Sequence, residues 1–294
     1  MAKGYKEEQI EELYQSMKEL KPLSNAQFET MMENFKDYMV LGGMPAIVKK
    51  YIENKNFSGT LNMQKQILKD YEEDITKYAG SLDQGKILNV YRMIPVFLGK
   101  ENKKFQISKV KQNAKSRDYI GVIDWLKNAG IINICYSLNS LELPLKGNYN
   151  TLIYKLYFGD YGLLIGSLDE ESQEDLRDNK NFNTYKGAIY ENIIADMLVK
   201  EGYELYYYTN ESKTIEINFF IRDKNSLIPV EVKASNNATT SLNKLLEGQY
   251  KEIKYGIKLW NKNIGFNNKF YTFLYFLTFL LKRFIKETKK DWLQ

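Results

Sequence analysis

Residues 216–233 read EINFFIRDKNSLIPVEVK, two strand-like runs joined at Asp223-Lys224-Asn225-Ser226, and their pattern decides the fold. Side chains alternate along a strand, so Ile217, Phe219 and Ile221 are expected on one face, with Glu216 and Asn218 on the other. On the second run Ile228, Val230 and Val232 are expected inward, while Glu231 and Lys233 project together. Two adjacent strands of this kind bring Glu216, Asn218, Glu231 and Lys233 to one surface. Clustered carboxylate and amide oxygens can hold a divalent cation, and a lysine beside them can orient an attacking water and offset developing negative charge. The plainer reading of the same residues is a set of cross-strand pairs, each worth about a few tenths of a kcal/mol.

Outward from this pair the α/β pattern continues. Upstream lie the helix KGAIYENIIADMLVKEG, closed at Gly202, and the strand ELYYYTN. Its tyrosines could stack on bases, but alternating aromatics belong more often to a buried strand. Downstream come the helix SLNKLLEGQYKEI and the strand IKLW. A helix, three strands, a helix and a further strand predict a mixed sheet with helical cover over 184–270. The apolar run YTFLYFLTFLL (271–281) falls short of the roughly 20 residues that span a bilayer. With the lysines and arginine after it, it is expected to dock on the core as an apolar, then basic, tail (271–294).

Farther upstream, 169–183 (DEESQEDLRDNKNFN) is acidic and nearly free of apolar residues, the composition of a linker or surface loop. Residues 99–168 hold a helix, SRDYIGVIDWLKN, closed by Ala129-Gly130. Two β-like runs follow, IINICYSL and YNTLIYKLYF, separated by LELPLKGN. Helices followed by such a hairpin describe a winged helix-turn-helix. Residues 1–98 read as helical throughout, with apolar Ile10, Leu13, Met17 and Leu20 at helical spacing and breaks at Pro22 and Gly42-Gly43-Met44-Pro45. The expected fold class is therefore α+β with several domains.

The pattern of a helical Glu, an acidic residue on one strand and E-x-K on the next is that of the PD-(D/E)xK nucleases, which this stretch resembles except at Asn218. The wider chain resembles the region after the ATPase module in prokaryotic AAA-type ATPases, through LGGMPAIV, DYEEDITKY, SRDYIGVIDWLKNAGII, YKLYFGDYGLL, KGAIYENIIA, EINFFI and IPVEVKA, from about Phe28 to Phe270. The resemblance implies catalytic positions at Glu191, Asn218, Glu231 and Lys233, with Gln249 as a polar helper. It implies Mg²⁺ held by Glu191, Asn218 and Glu231, and Lys233 placing the nucleophilic water. Asn218 stands where the family usually has Asp, which removes a charge from the cation site. The chain is expected to be a truncated product, a stand-alone relative or a subunit beside a separate ATPase.

Composition sets limits on the chemistry. The 294 residues contain no histidine and a single cysteine, Cys135. Serine–histidine and cysteine–histidine catalysis and histidine-based zinc or haem sites are thereby excluded within the chain. One cysteine forms no internal disulfide, which suits a cytoplasmic setting. Gly80-Ser81-Leu82-Asp83-Gln84-Gly85-Lys86-Ile87 imitates a phosphate-binding loop, but Ile87 replaces the magnesium-binding hydroxyl. A turn between two helices explains it better, and no ATP binding is expected.

The net charge is +5, and residues 100–127 alone, with eight basic side chains against three acidic ones, carry the same +5. On a winged helix this charge favours DNA phosphates through counterion release, with Lys109, Lys111, Lys115 and Arg117 as the expected contacts. Winged helices also dock proteins, so a non-catalytic interaction module is the rival reading.

Overall fold

A computed structural model describes residues 6–80, 82–178, 184–224, 226–234, 238–248, 250–267 and 269–287. The fold is α+β, with a helical N-terminal half followed by a mixed sheet. The first helices are α1 (Glu7–Lys18), α2 (Asn25–Leu41), α3 (Pro45–Asn54), α4 (Thr60–Tyr78), α5 (Gln84–Leu98) and α6 (Ile120–Asn128). Strands β1 (Ile132–Leu138) and β2 (Tyr149–Phe158) follow, then α7 (Tyr161–Gly166), α8 (Glu170–Arg177) and α9 (Thr184–Lys200). The chain continues through β3 (Leu205–Thr209), β4 (Glu216–Asp223), β5 (Ser226–Val232), α10 (Thr240–Glu247), β6 (Gly256–Trp260), β7 (Gly265–Phe266), β8 (Phe270–Leu274) and α11 (Leu281–Glu287). Among the described residues no helix is long and apolar enough to cross a membrane.

The structure divides into two compact units, residues 36–134 with 152–196, and residues 6–35 with 135–151 and 197–287. In the first unit the segments LGGMP and FGDYGLL meet. Asp160 explains why: its Oδ2 accepts the Gly43 N–H at 2.9 Å and its Oδ1 accepts the Gly162 N–H at 2.8 Å. Gly42 sits at φ +76°, and a Cβ there would lie 2.6 Å from the Gly162 Cα. Only glycine fits that left-handed, crowded position. The second half of the imitation phosphate loop opens α5, which Asp83 caps by accepting the Lys86 N–H at 3.1 Å. Of the acidic stretch, Glu170–Arg177 is helical, and Asp169 caps it by accepting the Ser172 N–H at 2.7 Å. Glu170 and Glu171 in the first turn suit the positive end of the helix dipole.

The sheet has the strand order β2-β1-β3-β4-β5-β6-β8-β7. β1 pairs with β3 in parallel, β3, β4 and β5 are antiparallel, and β5, β6 and β8 are parallel. Within the second unit, Tyr206, Ile217, Phe220, Leu227 and Phe270 pack with Leu242 and Leu245 of α10 in one buried cluster. The run after Phe270 forms the end of β8, a 3-10 turn and α11, with Phe273, Leu274, Phe276, Leu281 and Phe284 buried. Arg283 ties α11 to α1, contacting Glu11 at 2.5 Å and lying 3.6 Å above the Tyr14 ring.

The simple alternation expected for β4 does not hold. Tyr208 pairs with Ile217 and Tyr206 with Phe220, so two steps on β3 face three on β4. This β-bulge shifts the pattern by one residue, and Ile217 and Phe220 join the same cluster. The expected open polar face is also absent as such. Glu216 is exposed, Asn218 and Lys233 are half-buried, and Glu231 is only 2% exposed.

Candidate functional site

Two buried charged centres and one basic surface segment carry the polar chemistry among the described residues. In the second unit, β5 and β6 run parallel with Glu231 in register with Lys258. The Lys233 ammonium meets Glu231 Oε1 at 2.6 Å. Lys258 donates to the Thr239 hydroxyl at 3.0 Å and lies 3.5 Å from the centre of the Trp260 ring. The sequence reading did not single out Lys258; its place opposite Glu231 follows from strand register, which no local motif encodes. Glu231 Oε2 is buried and accepts no hydrogen bond. Burial pushes the Glu231 carboxyl up, and the Lys233 and Lys258 charges only partly oppose this. Burial likewise pushes the Lys258 ammonium down.

Asn218 sits in the bulge, where ladder pairing between β4 and β5 begins only at Phe219 and Val230. Its side-chain oxygen accepts the Val232 N–H at 2.8 Å, filling the role of a missing backbone partner. An oxygen committed in this way is not directed at a cation. Gln249 lies outside the described residues.

In the first unit Glu191 is held on α9 among cations. Lys103 meets its Oε1 at 2.6 Å, Tyr157 donates to its Oε2 at 3.0 Å, and Lys155 stands 3.8 Å from Oε2. Lys155 and Tyr157 reach it together because they are two residues apart on β2. The side chains of Lys103 and Lys155 are 10% and 3% exposed. Burial alone would raise the Glu191 carboxyl; the two ammonium charges, with the Lys103 and Tyr157 hydrogen bonds, outweigh it and hold the group below the usual carboxylate range. The neighbouring Asn192 ties α9 to the end of β2 by accepting the Phe158 N–H at 3.0 Å and donating to the Phe158 carbonyl at 3.1 Å.

Glu191 has both oxygens engaged, Asn218 serves the backbone, and Glu231 is paired with Lys233 through one oxygen. Among the described residues no group of three acidic or cysteine side chains could hold a metal ion. A hard divalent cation requires several free oxygen ligands; of the Glu191 and Glu231 carboxylate oxygens, only Glu231 Oε2 accepts no hydrogen bond among the described residues.

The basic segment lies in the first unit, across two 3-10 turns, Ile107–Lys109 and Ser116–Tyr119, that precede α6. Lys109, Lys111, Lys115 and Arg117 are all exposed. Arg117 stands 3.7 Å from Asp118, an exposed pair. The helix after them starts at Ile120, later than its sequence suggested, because the Ser116–Tyr119 stretch takes the tighter 3-10 form.

Residues 32–174 match a domain of unknown function (DUF8612), and residues 186–277 match another (DUF4143). The second is a domain found in the C-terminal region of AAA-type ATPase-associated proteins. No curated protein and no solved structure matches the chain.

Proposed function

We propose that this chain is a DNA-associated protein that grips the phosphate backbone through Lys109, Lys111, Lys115 and Arg117, and that its nuclease-like sheet binds no catalytic metal and cuts nothing. The observation carrying the reading is the run of four exposed cations ahead of α6, the place where a winged helix-turn-helix would meet DNA. The succession α9-β3-β4-β5-α10-β6, three antiparallel strands joined by a helix to a parallel one, supports a PD-(D/E)xK-like origin for the sheet. The buried Glu231–Lys233 pair supports a retained charge centre, since Lys233 already meets Glu231 Oε1 and the Asn218 oxygen is given to the Val232 N–H. The match of residues 186–277 supports a place beside an ATPase, and a cytoplasmic setting goes with it.

Gel-shift titration at low salt tests the binding half. Wild-type protein is expected to retard duplex DNA, with Lys109→Ala and Lys111→Ala each weakening it; no retardation at low salt favours a protein-docking module instead. Incubation of plasmid, branched and single-stranded DNA with Mg²⁺ or Mn²⁺ tests the other half. All three are expected intact; cleavage lost on Lys233→Ala would overturn the non-cleaving assignment.

A further inference from the structure

The first unit contains a cleft of about 310 Å³ between residues 104–108 and β2, beside the basic segment. Its walls are fixed by the Phe105 N–H donating to the Tyr154 carbonyl at 2.8 Å and by the near-parallel Phe105 and Tyr154 rings. Consecutive lysines divide their work here: Lys103 turns inward to Glu191, and Lys104 lines the cleft. Gln106, Ser108 and Ser116 also line it, and their side chains make no hydrogen bond to the described residues. Leu152, 57% exposed, supplies apolar surface.

This lining has a chemical signature. A carboxamide offers a donor and an acceptor side by side, as the edge of a base requires. Aliphatic surface covers the face of a ring, and ammonium groups at the mouth meet phosphate. The volume lies at the small end of the roughly 300–1,000 Å³ usual for ligand sites, enough to admit a base. Resting on the DNA-binding reading above, we infer that the cleft is a subsite for one unpaired nucleobase of a strand whose phosphates run over Lys104, Lys109, Lys111 and Lys115. Gln106 reads the base edge, Leu152 packs on the ring, and Ser108 and Ser116 complete the polar rim. A blunt duplex keeps its bases stacked and leaves the cleft empty, so the protein prefers single strands or unpaired ends.

Fluorescence anisotropy with a labelled oligothymidylate and a blunt duplex of equal length tests this. The single strand is expected to bind about fivefold tighter, the scale of one net hydrogen bond to the base edge. Gln106→Ala, which removes the amide, and Ser108→Leu, which fills the mouth from an exposed position, are each expected to abolish the preference while leaving duplex affinity unchanged. Lys111→Ala weakens both ligands alike. No preference in the wild type, or a preference that survives both cleft variants, overturns the subsite while the DNA reading stands. Absence of binding to either ligand at low salt sinks both.

Discussion

Glu191 and Glu231 are both buried acids beside lysines, yet their surroundings push them in opposite directions. Two ammonium groups and a tyrosine hydroxyl hold Glu191 low, so its contribution to stability is present above the unfolded carboxylate range and is lost as pH falls through its depressed value. Glu191→Gln leaves two buried lysines without their counter-charge and is expected to cost about 3–5 kcal/mol at neutral pH, measured by urea unfolding. The variant should also lose part of the wild-type decline in stability on acidification. Glu231 has the opposite sign. Its raised carboxyl means that the folded state binds its proton more tightly than the unfolded chain does. Stability is therefore greatest below the unfolded carboxylate range and falls as pH climbs through the raised value. Glu231→Gln is expected to flatten that fall and to cost less than Glu191→Gln, because Lys233 is half-buried and can reach water. Urea midpoints taken across the acid range check both signs; a variant at either position that leaves the pH profile unchanged contradicts the assignment.

At the scale of elements, the turn between LGGMP and FGDYGLL and the bulge in β4 fix the positions of polar groups. Gly42→Ala adds a Cβ against the Gly162 backbone at a positive φ and is expected to cost about 2 kcal/mol or more, read from thermal unfolding. Asn218→Ala orphans the Val232 N–H and should cost about 1–3 kcal/mol, with no change in DNA affinity. Several elements were legible: the runs 25–41, 120–128, 131–138, 149–158 and 186–202 carry the periodicity of the helices and strands found there. The bulge was not, because one extra residue opposite Tyr206–Tyr208 is set by the register of the β3–β4 pairing, which the alternation of β4 alone does not show. For the same reason the ion pairs of Glu191 could not be read from sequence. Lys103 and Lys155 lie far from it along the chain, and nothing local marks either as its partner. The pairing of Glu231 with Lys233 was legible, since an E-x-K run on one strand puts both side chains on one side. Lys258, which joins them through the β5–β6 register, was not.

At the scale of the whole molecule, the buried Glu191 and Glu231 each pair with a lysine, while Lys109, Lys111, Lys115 and Arg117 lie exposed along one short segment. Charge of that kind acts on a polyanion through counterion release, which ties affinity to salt. The most direct measurement is therefore the affinity for DNA across a salt series, for the wild type and for a variant with Lys109, Lys111, Lys115 and Arg117 all changed to Ala. The log–log slope is expected to be steep in the wild type and shallower by about 0.7–0.9 per phosphate contact removed. A slope that is flat in the wild type, or identical in the two proteins, would contradict the account.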